Sequence, residues 1–249
     1  MSQLILDHSF TNIADLIERS LIKYADAPAF SCLGQTLTFA EVDAKSKALA
    51  IWLQQQDNIQ AGDRIVIQLP NINQYPIAAY AALRAGLIIV NTNPLYTSRE
   101  MQHQFKDSGA KAIIILEELL PKLTSIQADT DIELVITTNA ADLLTNSLDD
   151  AKTGCFSFNQ IINKELTSDL MPRPNNIIDD TCVLQYTGGT TGVSKGACLS
   201  HGNLMSNAQQ ALSRISSRCQ EQQEIFVAPL PLYHIYAFTV NLVMLFNDG

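Results

Sequence analysis

The strongest constraint on how this chain can fold is a recurring pair of patterns: a short apolar run, then a stretch of helical periodicity. The strand-like runs are Arg64–Leu69, Leu87–Val90, Ala112–Leu116 and Leu134–Thr137. Between them lie helical patterns over Asn73–Arg84, from a Ser98 cap to a stop at Gly109, and over about Glu118–Gln127. Pro76 sits in the first turn of one helix and Gly86 follows its end, the usual places for those residues. Leu87–Val90 and Ala112–Leu116 are apolar at almost every position, as expected of strands covered on both faces. Repetition of this βα order implies an α/β fold with a largely parallel sheet flanked by helices.

Upstream, Phe10, Ile13, Ile17, Leu21 and Tyr24 recur at near-helical spacing behind a Thr11/Asn12 cap. Ala29–Leu33 and Thr36–Phe39 read as a hairpin turned at Gly34-Gln35. Thr38 and Glu41 have capping-box spacing and open a helix to about Gln56, with Trp52 expected in the core. Residues 138–178 are dominated by Asn, Asp, Ser, Thr and Pro, the composition of a long surface loop or linker. The expected organisation is a first α/β subdomain over 1–178, loop-rich across 138–178, and the start of a second over 179–249. Arg84, Arg99 and Lys106 read as surface charges, and Asn91–Thr97 as a structural turn.

Composition narrows the function classes. The 249 residues are 47% apolar, enough for a core without disulfides or structural metal. Only 16% are charged, against about 25% in an average soluble domain, a lean supply for a chain exposing all its own surface. The net charge of −9 argues against a nucleic-acid partner and against purely electrostatic docking on an anionic membrane. Five scattered cysteines without a Cys-x-x-Cys pair read as reduced thiols in a cytoplasmic setting. The four histidines lack metal-ligand spacing, and Met1–Asp7 lacks the basic segment of a signal peptide. Ile225–Phe246 carries no charge, but Pro229 and Pro231 interrupt it. The remainder, about Leu232–Phe246, has the length of a buried core helix rather than a membrane span.

The chemistry concentrates after an apolar strand at Thr181–Tyr186. Thr187-Gly-Gly-Thr-Thr-Gly-Val-Ser-Lys-Gly196 packs four glycines, three threonines, a serine and a lysine into ten residues. Glycines bring backbone N–H groups close to a ligand, hydroxyls add donors, and lysine adds a mobile ammonium. That is the donor set of a polyphosphate nest. Gly192 and Lys195 are three apart, so Walker spacing does not fit, and neither does the dinucleotide fingerprint. A solvated turn between two strands is the simpler alternative, but it does not call for this density of hydroxyls.

Tyr186-Thr-Gly-Gly-Thr-Thr-Gly-Val-Ser-Lys-Gly196 closely resembles the phosphate-binding signature of the AMP-forming acyl-adenylate enzymes, the superfamily of acyl-CoA synthetases, luciferase and peptide-synthetase adenylation domains. Gly188 stands where the common form has serine, and Ser194 where it has proline. Ala228-Pro-Leu-Pro-Leu-Tyr-His-Ile-Tyr-Ala-Phe238 is similar to a second family segment, and Asn91-Thr-Asn-Pro-Leu-Tyr-Thr-Ser-Arg-Glu100 to one found in fatty-acyl members. With Leu199–Leu204, the whole chain most resembles the front part of bacterial long-chain-fatty-acid–CoA ligases.

The resemblance implies an acyl-CoA-synthetase-like N-terminal domain, incomplete here, with ATP, Mg2+ and CoA as cofactor and co-substrates and a fatty acid as substrate. It assigns Tyr186, Thr187, Gly188, Gly189, Thr190, Thr191, Gly192, Lys195 and Gly196 to the nucleotide phosphates. Lys195 and Thr187 become the catalytic candidates, with Thr187 also the magnesium-side hydroxyl. His234, Tyr233 and Tyr236 are assigned to the acyl pocket, with Phe238 as pocket or plain core. Family members are about twice this length. The remainder supplies an acidic magnesium ligand, the adenine and ribose site, and a small C-terminal domain carrying the adenylation lysine. The chain is therefore expected to need that C-terminal half as its partner and to be inactive by itself. A homodimer and peripheral association with the inner membrane face stay open. So do a different carboxylic acid as substrate and a non-catalytic nucleotide-binding or interaction module.

Overall fold

The computed structural model describes residues 10–145, 151–172, 177–187, 193–215, 218 and 224–243, with 241–243 described by backbone alone. In chain order the elements are α1 (Ile13–Lys23), β1 (Pro28–Cys32), β2 (Gln35–Thr38), α2 (Phe39–Gln54), β3 (Arg64–Gln68), α3 (Gln74–Arg84), β4 (Ile88–Asn91), α4 (Ser98–Ser108) and β5 (Ala112–Leu116). There follow α5 (Leu120–Thr124), β6 (Leu134–Thr138), α6 (Asp142–Thr145), β7 (Phe156–Ser157), α7 (Phe158–Ile162), β8 (Thr181–Thr187), β9 (Lys195–Ser200), α8 (His201–Ile215) and α9 (Ile235–Val243).

Seven strands form one sheet in the order β7-β6-β5-β3-β4-β8-β9, parallel throughout except for the antiparallel β8–β9 pair. The expected βα alternation is thus present, and every residue of β5 and β6 is buried. From β3 the chain steps to β4 and then back past β3 to β5. Parallel crossovers are right-handed almost without exception, so these opposite steps put α3 and α4 on opposite faces. α1, α2, α3 and α7 pack on one another, and α4 packs on α5. The division expected at 178/179 falls inside this sheet, since β8 pairs with β4 through Ile89–Val183, Val90–Leu184 and Asn91–Gln185.

Local chemistry sets the element ends. Asn12 caps α1 by accepting from Asp15 N, and Thr38 with Glu41 forms the expected capping box of α2. The hairpin β1–β2 forms, but it turns at Leu33-Gly34, both at positive φ (51° and 83°), one residue earlier than expected. Thr97, rather than Ser98, caps α4 in a second capping box with Glu100, and Gly109 ends it in the left-handed conformation.

Three expectations need correction. The helix placed over Glu118–Gln127 is broken into α5 between two 3-10 turns, one before it and one after it. Part of the 138–178 stretch is built into the fold. β7 extends the sheet beside β6, Trp52 and Phe156 meet edge-on, and Phe158 is fully buried. Arg84 is buried rather than on the surface. It pairs with Asp43 at 2.8 Å and Glu18 at 3.3 Å and donates to Ser46 Oγ, tying α1, α2 and α3 together. Arg99 and Lys106 are exposed as expected. Among the described residues no helix is long and apolar enough to cross a membrane.

Candidate functional site

Because β3, β4 and β8 are parallel, their carboxyl ends lie along one edge of the sheet, the edge where open α/β sheets bind ligands. β8 ends there at Thr187, and the chain returns as β9 beginning at Lys195. The register sets Thr187 opposite Lys195 and Tyr186 opposite Gly196. The glycine–threonine segment therefore leaves and re-enters the sheet at one point, with the two catalytic candidates facing each other across the mouth. Both are exposed. Gly188, Gly189, Thr190, Thr191 and Gly192 lie outside the described residues.

The base of this hairpin is tightly built. The Tyr186 ring lies against Gly196, where a Cβ would come within 2.9 Å of it, so any side chain there would have to displace the ring. The Tyr186 hydroxyl donates to Asp107 Oδ2 at 2.6 Å. Burial first, and then that carboxylate, push the hydroxyl well above the ordinary tyrosine range, so it keeps its proton. Ser194 Oγ donates to Thr187 O at 2.8 Å, closing the mouth from the returning side. The His103 ring nitrogen Nε2 lies 2.8 Å from Ser194 O.

The second segment reaches the same edge by another route. Asn71, just past β3, donates through Nδ2 to Ala228 O (2.9 Å) and Leu230 O (2.8 Å), and its Oδ1 accepts from Leu232 N (2.8 Å). One amide thus holds the backbone of the Pro229–Pro231 turn. Gln185 Nε2, on β8, donates to Tyr233 O at 3.5 Å, and Gln185 Oε1 accepts from Asn91 Nδ2 at 3.4 Å. His234 N donates to Pro231 O and its carbonyl accepts from Phe238 N, opening α9. Tyr233 is half-buried, His234 and Tyr236 are exposed, and Phe238 is core. Asn91, expected as a turn residue, is buried, with its Oδ1 accepting from the Tyr75 hydroxyl at 2.7 Å. Along this segment the apolar side chains Ile225, Val227, Leu230 and Tyr236 are exposed.

His103, Asp107, Asn71 and Gln185 escaped the sequence reading. The signals that could have found them are modest. His103 and Asp107 are one turn apart on α4 and so share a face, and Asn71 follows the carboxyl end of a parallel strand.

The family model for AMP-binding enzymes matches residues 17–249. The chain belongs to the AMP-binding enzyme family. This member is similar to a long-chain-fatty-acid–CoA ligase of Yersinia pestis, 38% identical over 96% of this chain and 45% of that protein. It is also similar to a long-chain-fatty-acid–CoA ligase of Haemophilus influenzae, 36% identical over all of this chain and 47% of that protein. Its fold matches the crystal structure of a long-chain-fatty-acid-CoA ligase from Archaeoglobus fulgidus with a TM-score of 0.78 at 23% identity, over 94% of this chain and 45% of that one. The chain spans a little under half the length of these relatives.

Proposed function

We propose that this chain is the nucleotide-phosphate half of an enzyme that activates a fatty acid with ATP and passes the acyl group to CoA. The observation that carries the reading is the hairpin mouth, where Thr187 and Lys195 face each other at the carboxyl edge of the sheet. Membership of the AMP-binding family and the fatty-acyl ligases among its relatives support it.

In the first half-reaction a carboxylate oxygen attacks the α-phosphorus of ATP, and pyrophosphate leaves. In the second the CoA sulfur attacks the acyl carbonyl carbon, and AMP leaves. Both reactants of the first step are anions, so neutralisation and alignment dominate its barrier. Lys195 supplies positive charge at the mouth, Thr187 a hydroxyl, and residues 188–192 backbone and hydroxyl donors to the phosphates. Tyr186 and Gly196 form the rigid floor beneath them. Magnesium, when bound with ATP, neutralises phosphate charge. Thr187 is the residue here that fits it, and among the described residues no cluster of three His, Cys, Asp or Glu side chains adds a fuller ligand set.

Tyr233, His234 and Tyr236 form the acyl side of the site, held beside β8 by Asn71 and Gln185. Ile225, Val227 and Leu230 are the surface against which the rest of an enzyme of the relatives' length packs.

The test is ATP–pyrophosphate exchange across a fatty-acid series in the whole protein, with Lys195→Ala and Thr187→Ala variants. Adenylation should fall far more than fatty-acid binding. Equal exchange by variants and parent would overturn the assignment.

A further inference from the structure

The two residues at the hairpin mouth sit on unequal supports. Thr187 ends β8, a strand flanked on both sides within the sheet, whereas Lys195 begins β9, the edge strand among the described residues and one with no buried residue. An edge strand held by one ladder is the weaker part of such a pair, yet a phosphate site needs its cation at a fixed distance from its hydroxyl.

α4 supplies the missing support. It is a rigid platform, with a capping box at one end, a left-handed glycine cap at the other, and Met101 and Phe105 fully buried. Two of its side chains one turn apart grip the hairpin, one on each side of the mouth. Asp107 accepts from the Tyr186 hydroxyl on β8, and His103 meets Ser194 O on the returning side. A carbonyl oxygen can only accept, so Nε2 of His103 carries the proton and donates. That carbonyl belongs to the peptide linking Ser194 to Lys195, so the bond fixes the peptide plane from which Lys195 starts. Ser194 Oγ then ties this point to Thr187 O at 2.8 Å.

We propose that His103 is a positioning residue for adenylation. By holding the Ser194–Lys195 peptide, it sets Lys195 against Thr187 for the nucleotide phosphates. It touches no reacting atom. The proposal rests on the reading of the Thr187–Gly196 segment as the phosphate site, and the experiment separates the two.

In the whole protein, His103→Ala should lower kcat/KM for ATP in pyrophosphate exchange by about twofold to tenfold, the range one hydrogen bond of ordinary strength spans. The KM for fatty acid and the melting temperature should stay put. His103→Gln, whose amide Nε2 can donate from a similar reach, should recover most of the loss. In the double variant with Lys195→Ala, His103→Ala should add little, because one residue acts through the other. Loss of activity with Lys195→Ala but none with His103→Ala overturns the positioning role and leaves the phosphate site standing. No loss with either overturns both. A uniform fall in both KM-based efficiencies with a lowered melting temperature, unrescued by glutamine, makes the bond merely structural and overturns the proposal.

Discussion

α3 and β9 are opposite extremes of one molecule. All eleven residues of α3 are buried, including Gln74 and Arg84, whereas β9 buries none of its six. α3 is apolar nearly all round and enclosed by α1, α2 and the sheet, the environment in which such a helix is stable. Among the described residues β9 has one strand neighbour, and it depends on single side-chain bonds at its start. Burial is concentrated in α3, and the two candidate site residues, Thr187 and Lys195, stand exposed where a ligand can reach them. The link between the two regimes is a small number of polar side chains on rigid elements.

The largest stability effect should come from the α3 side. Ile77→Ala, fully buried, should cost about 3 kcal/mol in urea unfolding, from lost burial plus the cavity left behind. A cost no greater than that of an alanine placed in β9 would erase the contrast. Arg84→Ala should follow at roughly 2 kcal/mol, below the range for a fully buried pair because Asp43 and Glu18 are each about a quarter to a third exposed and can rehydrate. The same assay with Arg84→Lys should restore only part, since one ammonium cannot serve two carboxylates and Ser46 in fork geometry.

Gly196→Ala sharpens the comparison from the other side. Its Cβ would press on the Tyr186 ring, which must shift and slacken its bond to Asp107, for about 1–2 kcal/mol. Combining it with Tyr186→Ala should make the alanine at 196 nearly neutral, and a cost that persists would assign the strain to the backbone instead. The smallest stability effect belongs to Lys195→Ala. Its side chain is exposed, so the unfolding midpoint should not move, while pyrophosphate exchange in the whole protein falls steeply. A shifted midpoint would mean that Lys195 braces the hairpin.

The helices and strands legible in the sequence were those whose own residues carry the signal. Continuous apolar runs announced β3 to β6, and Thr38 with Glu41 announced α2, because burial on both faces and capping are short-range requirements. The turn of the first hairpin shifted by one because Leu33 joins Gly34 at positive φ, which leucine does not advertise. β7 and α7 were hidden in a polar stretch because Phe156 and Phe158 find their partners on distant elements. Arg84 read as surface because a charge is usually solvated, and nothing near it in the chain reveals Asp43 or Glu18.

The site divides along the same line. The density of glycines, hydroxyls and lysine in Thr187–Gly196, and its likeness to one enzyme family, could be read directly, since a phosphate nest is made from adjacent residues. The sequence by itself determined the fold class, the family and the candidate phosphate segment. Tertiary structure alone decided that Thr187 faces Lys195 and that β9 returns beside β8. It alone revealed the supports, which join residues 91 apart for His103 and Ser194, 79 apart for Asp107 and Tyr186, and 157 apart for Asn71 and Ala228. Local propensity and motif spacing act over a few residues. Hydrogen bonds between distant segments exist only once the sheet has brought those segments to one edge.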